Sequence, residues 1–386
     1  MTLIRRLNAG LAVTAMALTA AVSPAMSAVA TPAAAPAIST GRLVQLRSLG
    51  GDSTAVVMNQ RGDILGHSVD KAGNYRTVVW WHDRSTPAVV PVAEAFAGAI
   101  SDNGHVAGRV SQTGKLFVWH PGTAVKYLRP PAGTNPEVTG LNDHDQVIGT
   151  TYYQNGTHRA FTWQGRHYRL LPVPKGANST AVAINNRGQI IGTIVSHHGT
   201  TERAVLWQGT RTIRMTQLGT LGGTSSRPAA INDRGQIIGN STLRKSSDEH
   251  PFLWQHGRMT DLLAHTKAVT GTVTAISDTG LMTGQVSWPD RSEHAVLWRG
   301  HQLVDLGLPG SSSYPRAVND RGDVAGMNWS RPDTLGVPFR WRHGKITFFP
   351  KPVGDISTRV VGIDPHGTIV VSEETSYYGQ IVLRSA

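Results

Sequence analysis

Sixteen histidines are the first residues to invite a chemical reading, because imidazole serves as metal ligand and as acid or base near neutral pH. They are dispersed. His67, His105, His144 and His366 fall near recurring hairpins, and His250 and His294 precede recurring strands. Neither the zinc-metalloprotease helix motif nor a His-x-His pair occurs, and the adjacent His197–His198 lies in a polar loop, so no metal site is expected. Serine, histidine and aspartate are all plentiful, yet the nucleophile-elbow spacing is missing, and "GSSSYP" from Gly310 reads as a turn. No catalytic residues and no cofactor are expected. With no cysteine, disulfides, thiolate metal sites, a cysteine nucleophile and a bacterial lipid anchor are excluded. Asp102, Asp143, Asp233, Asp278 and Asp320 recur at one hairpin position. The turn-forming habit of aspartate accounts for that recurrence; a ring of charge around a cation is the competing reading, and no Asp-rich calcium loop accompanies it.

Aromatic rings beside arginines offer a different chemistry, stacking on sugar faces or holding an anionic polymer. Trp288 and Trp329 depart from the regular tryptophan series and follow second strands in neighbouring repeats; Tyr152 and Tyr153 fall at the same place in an earlier one. Tyr314 and Arg316 read as part of a loop between repeats, and Arg331 follows Trp329 closely. These seven residues are the expected ligand-binding set. Loop packing over the rim is the plain alternative.

The elements that must position them come from a repeat. "AVAINNRGQIIG" from Ala181 returns as "PAAINDRGQIIG" from Pro228, and six further relatives span the chain. Their closing glycines are Gly66, Gly108, Gly149, Gly192, Gly239, Gly284 and Gly326, with Val371 in that place in the last copy. Such a spacing marks one supersecondary unit repeated. Each copy is a small-and-branched run, an Asn/Ser-Asp/Asn-x-Gly turn and a second run, the pattern of a tight hairpin with glycine at positive φ. Asp145 replaces that glycine in the third copy. A third run ends in Trp80, Trp119, Trp163, Trp207, Trp254, Trp298 or Trp341, with Arg384 read in the tryptophan place of the last copy. A fourth run follows a polar turn. Four strands per unit predict an all-β fold, an eight-bladed β-propeller of four-stranded blades. The last copy lacks its fourth strand, and "GRLVQLRSLGG" at 41–51 matches the missing piece. The N-terminal strand is therefore expected to complete the final blade.

Ahead of that strand, Arg5 and Arg6 precede an uncharged apolar run that ends at "AVA". Residues 1–30 read as a signal peptide, 31–40 as a Pro/Ala linker that buries nothing, and 41–386 as a single propeller domain. No second long apolar run is present, so no integral membrane segment is expected. The formal charge is +12. A basic exported protein meets anionic wall polymers and polysaccharides. Scattered arginines, often one per turn, argue against nucleic acid.

The repeat resembles the HAF repeat of extracellular and secreted bacterial proteins. "QLGTLGGTSSRPAAINDRGQIIG" (217–239), followed by "EHPFLWQHGRMTDL" (249–262), carries the likeness, with "HRAFTW" from His158 and "EHAVLW" from Glu293. It covers nearly all of 41–384 and departs at Asp145 and Arg384. The resemblance implies export and this architecture, and transfers no catalytic residues. The expected function is a secreted, monomeric, non-catalytic scaffold binding an extracellular glycan, an anionic wall polymer or a protein partner, in places associated with the cell wall. The alternative is a polysaccharide-active hydrolase or lyase with its site on a propeller face.

Overall fold

The structure is a computed structural model that describes residues 37–196, 199, 201–330, 336–349, 356–375 and 379–385. The expected signal peptide, part of the linker, Arg331 and the His197–His198 pair lie outside the described residues.

Everything described is strand, turn or loop. Eight four-stranded antiparallel sheets follow one another, seven of them with their strands in chain order. The fourth sheet is representative: Asn178–Ile184, Ile190–Val195, Glu202–Gln208 and Arg214–Gln217. The first strands that begin each sheet are Gly50–Met58, Ala95–Ile100, Thr134–Leu141, Asn178–Ile184, Gly222–Ile231, Thr270–Ile276, Ser312–Val318 and Ile356–Ile363. The sixth and seventh sheets are further joined by one parallel bridge, Glu293 to Ser312.

The eighth sheet takes its outer strand from the other end of the chain, as the sequence led one to expect. Leu43–Gln45 lies antiparallel to Gly379–Ser385, with Leu43 opposite Ser385 and Gln45 opposite Leu383. Ahead of it, Ala37–Thr40 pairs in parallel with Lys345–Phe348 of the seventh sheet, and the Ser39 hydroxyl meets that of Thr347 at 3.1 Å. The last four residues of the expected linker thus form a strand. Its residues stay largely exposed, so backbone hydrogen bonding rather than burial holds it.

The core lies between sheets. Among the described residues, each of eight apolar clusters joins one sheet to the next; Leu46, Ala55, Ile64 and Trp80 meet Val370 and Val382 between the first and eighth. All seven regular tryptophans are buried in these junctions. The closing glycines follow from that packing. A Cβ on Gly192 would collide with the Thr180 carbonyl and come within 2.7 Å of the Trp207 ring; on Gly149 the ring met is Phe161, also at 2.7 Å. The strand register corrects one assignment in the last copy. Ile190 faces Trp207, whereas the equivalent Ile369 lies beside Ser385, which accepts its N–H at 3.0 Å; Arg384 is one step earlier, opposite Val370. Without a ring over it, the closing position accommodates Val371.

Candidate functional site

The hairpins between first and second strands gather on one face, here termed the turn face. Each begins with a side-chain oxygen that captures its own turn: Asn185 Oδ1 accepts the N–H groups of Arg187 and Gln189 at 3.1 and 3.0 Å. The same asparagine then donates through Nδ2 to the Asn232 carbonyl of the next hairpin at 2.9 Å. Asn59, Asn142, Asn232 and Asn319 donate in the same way to Ser101, Asn185, Ser277 and Asp364.

The recurrent aspartates have a role that turn propensity does not describe. Asp102, Asp233, Asp278 and Asp320 accept the N–H of Gln60, Asn186, Asp233 and Thr279 respectively, each donor lying on the preceding hairpin, at 2.7–3.0 Å. Asp143 does the same for Asn103 at 3.0 Å. They are latches between sheets, and four of them, Asp102, Asp143, Asp233 and Asp278, line a cavity of about 210 Å³ with their neighbours. Burial, with the charges of Asp143, Asp278 and Asp233, raises the Asp102 carboxyl to about 6 against the bond from Gln60.

Beside this ring, between the third and fourth sheets, lies a far larger groove of about 1280 Å³. Arg169, Arg187, Arg211 and Arg214 line it with His144 and His167, and no carboxylate is among the lining residues. All four arginines are exposed. Among the described residues none of their guanidinium groups is in an ion pair; Arg187 donates to the Arg234 carbonyl at 3.3 Å. Because Arg169 and Arg214 sit on outermost strands and Arg187 and Arg211 on turns, only the folded junction assembles them. In the sequence, "HYRL" and "TRTIR" belong to ordinary fourth-strand runs and "NNRG" to an ordinary turn, so none of them stands out as a site.

The expected aromatic set is distributed differently. Trp288 packs at the junction of the fifth and sixth sheets, with its indole N–H buried and unpartnered, and Trp329 packs at the junction of the seventh and eighth, against Gly336. Tyr314 and Arg316 are not in a loop. Both belong to the first strand Ser312–Val318, where Tyr314 faces Met327 and Arg316 is the bulged residue between Pro315 and Ala317. Tyr152 and Tyr153 end the strand Val147–Tyr153; Tyr152 is 39% exposed, and burial together with the Glu137 carboxylate raises its phenol pKa. Small residues alternating with aromatics suit a first strand as well as a loop, which is why composition misplaced Tyr314 and Arg316. Reasoning on tryptophans also missed a more exposed pair, Tyr75 at 51% and Phe96 at 50%, both set around His67.

One further group on the turn face brings metal-ligating types together: His105, His120 and Asp145. Burial lowers the His120 pKa, with His105 and Lys126 adding to the effect and Asp145 opposing it.

No protein-family model matches the chain, and no curated protein matches it. Solved structures do. The β-propeller domain of the Trilobed protease from Pyrococcus furiosus is similar over 79% of this chain and 100% of that one, with a TM-score of 0.51 and 11% identity. A puromycin-hydrolyzing peptidase of Mycobacterium tuberculosis is similar over 88% of this chain but 61% of its own, with a TM-score of 0.51 and 11% identity. A prolyl endopeptidase aligns over 85% of this chain and 55% of its own, with a TM-score of 0.54 and 9% identity. The chain therefore spans less than two thirds of both peptidases. At these identities the likeness concerns the fold: an all-β, propeller-like domain of repeated four-stranded antiparallel sheets. Among the described residues no helix is long and apolar enough to cross a membrane.

Proposed function

We propose that the chain is a secreted, non-catalytic scaffold of the HAF-repeat kind, an eight-bladed propeller that holds an anionic wall polymer in the arginine-lined groove between its third and fourth sheets. The observation that carries this reading is the groove itself: four exposed guanidinium groups, none of them in an ion pair among the described residues, around about 1280 Å³ with no carboxylate among the described lining residues. Planar forks of N–H donors match phosphate and carboxylate oxygens in pairs. An open polar trough suits an extended polymer better than a compact apolar ligand, which needs an enclosed pocket. The overall charge of +12 favours the same partner.

Ring closure is supported by the pairing of Leu43–Gln45 with Gly379–Ser385 and by the apolar cluster shared by the first and eighth sheets. A scaffold rather than an enzyme is supported by the aspartates of the turn face. They are the convergent acids a hydrolase or lyase would use, yet each is engaged in holding a neighbouring hairpin.

The test is retention of the purified chain on an immobilised polyphosphodiester and a polyuronate, with a neutral glucan as reference. Retention on both polyanions that weakens with salt, and falls at least tenfold when Arg169, Arg187, Arg211 and Arg214 are replaced by glutamine, supports the reading. Equal retention by that variant, or equal retention on the neutral glucan, overturns the site. Release of shortened polymer would establish the enzymatic alternative.

A further inference from the structure

In seven of the eight hairpins the fourth turn position is a glycine at positive φ: Gly62, Gly104, Gly188, Gly235, Gly280, Gly322 and Gly367. The third hairpin has Asp145 there, at φ 59°. A side chain in the left-handed region is strained unless its surroundings compensate. What faces it makes the exception informative.

The repeat provides its own control. A Cβ on Gly188, Gly235 or Gly280 would point at the preceding sheet's glutamine, with Oε1 of Gln146, Gln189 or Gln236 at 2.8–3.0 Å. At the third hairpin the preceding sheet offers His105 in the glutamine's place, and His120 follows that sheet's third strand directly after Trp119. Asp145 Oδ1 lies 2.8 Å from His105 Nδ1 and 3.0 Å from His120 Nε2. The two imidazoles stack with centroids 3.7 Å apart and planes 10° from parallel, so both rings present a nitrogen to one carboxylate. All three side chains are partly accessible, between 17% and 28%. Lys126 Nζ approaches Asp145 Oδ2 at 3.7 Å from a largely exposed side chain that is free to swing away.

We propose that His105 Nδ1, His120 Nε2 and the Asp145 carboxylate form a binding site for a divalent transition-metal ion of the zinc class, clamping the second sheet to the third. Two imidazoles and one carboxylate with room for water is a donor set that zinc accepts. An ion about 2.0–2.2 Å from each donor sets the donors roughly 3.3 Å apart, so the contacts to the carboxylate open by a few tenths of an ångström and the stacked rings splay until their in-plane lone pairs converge on the ion. On binding, the ring protons that face the carboxylate move to His105 Nε2 and His120 Nδ1, and the freed lone pairs bind the ion. The strain at Asp145 is then offset by a ligand bond that glycine cannot make. This site does not depend on the polymer groove.

The test uses the untagged chain with Zn²⁺ alone in calorimetry and Co²⁺ alone in absorption spectroscopy. One saturable site per chain, with visible bands of a low-coordinate, nitrogen- and oxygen-bound Co²⁺, is expected. Asp145→Gly restores the residue that seven hairpins already carry, so its fold is secure; it and His120→Gln should each lower affinity at least tenfold and abolish the bands. A His197→Ala/His198→Ala variant should bind as the parent chain does. Absence of a saturable site in the parent, unchanged affinity in Asp145→Gly and His120→Gln, or loss of binding with the His197/His198 pair overturns the proposal.

Discussion

Two junctions of this molecule share one backbone and differ in three side chains. Between the fourth and fifth sheets, Gln189 lies under Gly235 and donates to Gln208 at 3.0 Å, a neutral, exposed amide pair. Between the second and third, the same positions hold His105, Asp145 and His120, and the pair becomes a charged, strained cluster. The repeat therefore supplies a standard cradle at each junction, and chemistry enters by substitution within it. The seam between the first and eighth sheets is a third version. There Arg359 reaches the Ala55 carbonyl at 2.5 Å, where Thr139 and Thr274 reach the equivalent Ala181 and Pro315 carbonyls at other junctions, and Arg384 reaches the His82 carbonyl at 2.7 Å.

The comparison is broken most severely by removing what all junctions share. Trp207→Ala empties a fully buried site and removes an indole bond to the Pro172 carbonyl. It should cost about 3–5 kcal/mol by denaturant unfolding, and a smaller loss would mean that the junction collapses to refill the space. Next is Asp102, the latch at the junction of the first two sheets. Its carboxyl titrates near 6 when folded against an ordinary 3.8, so the folded state binds that proton more tightly. This contribution is full below about pH 4 and is lost as pH rises through 6, of order 2–3 kcal/mol. Asp102→Asn keeps an acceptor for Gln60 and should flatten that stretch of the stability profile while raising stability at pH 7.

Subtler is the exchange between the two cradles. Gly188→Asp puts a side chain at φ 71° against Gln146 with no histidines to receive it and should cost about 1–2 kcal/mol. Asp145→Gly in metal-free buffer relieves strain but gives up partly exposed polar contacts. Its thermal midpoint should stay within the shift that about 0.5 kcal/mol produces. Equal costs for the two changes would remove the distinction drawn between the junctions. A comparably small effect is expected at the seam, where Arg384→Ala loses one exposed bond, about 0.5 kcal/mol.

Much of the fold was legible because its determinants are local. The Asn-Asp-x-Gly turns specify hairpins through bonds spanning two to four residues, as Asn185 does with Arg187 and Gln189. The unfinished last copy likewise pointed to the strand at 43–45. Register was less legible: Arg384 and Ser385 differ by a single step, and that step decides which of them lies against Ile369. The sites were hardly legible at all. Trp288 and Trp329 drew attention by departing from the pattern, yet the chain uses both to fill junctions.

From its sequence alone this protein is a series of near-identical antiparallel sheets with glycine where a ring or a left-handed turn requires it, and with its two ends supplying one sheet between them. Lateral packing alone decided that Asp102 would latch a neighbouring hairpin and that arginines from turns and outer strands would share one groove. It also brought His105, His120 and Asp145 to a single point. The reason is geometric. A repeat reports the contacts inside a unit, whereas function arises between units, where residues 25 to 40 positions apart meet only once the sheets are placed side by side.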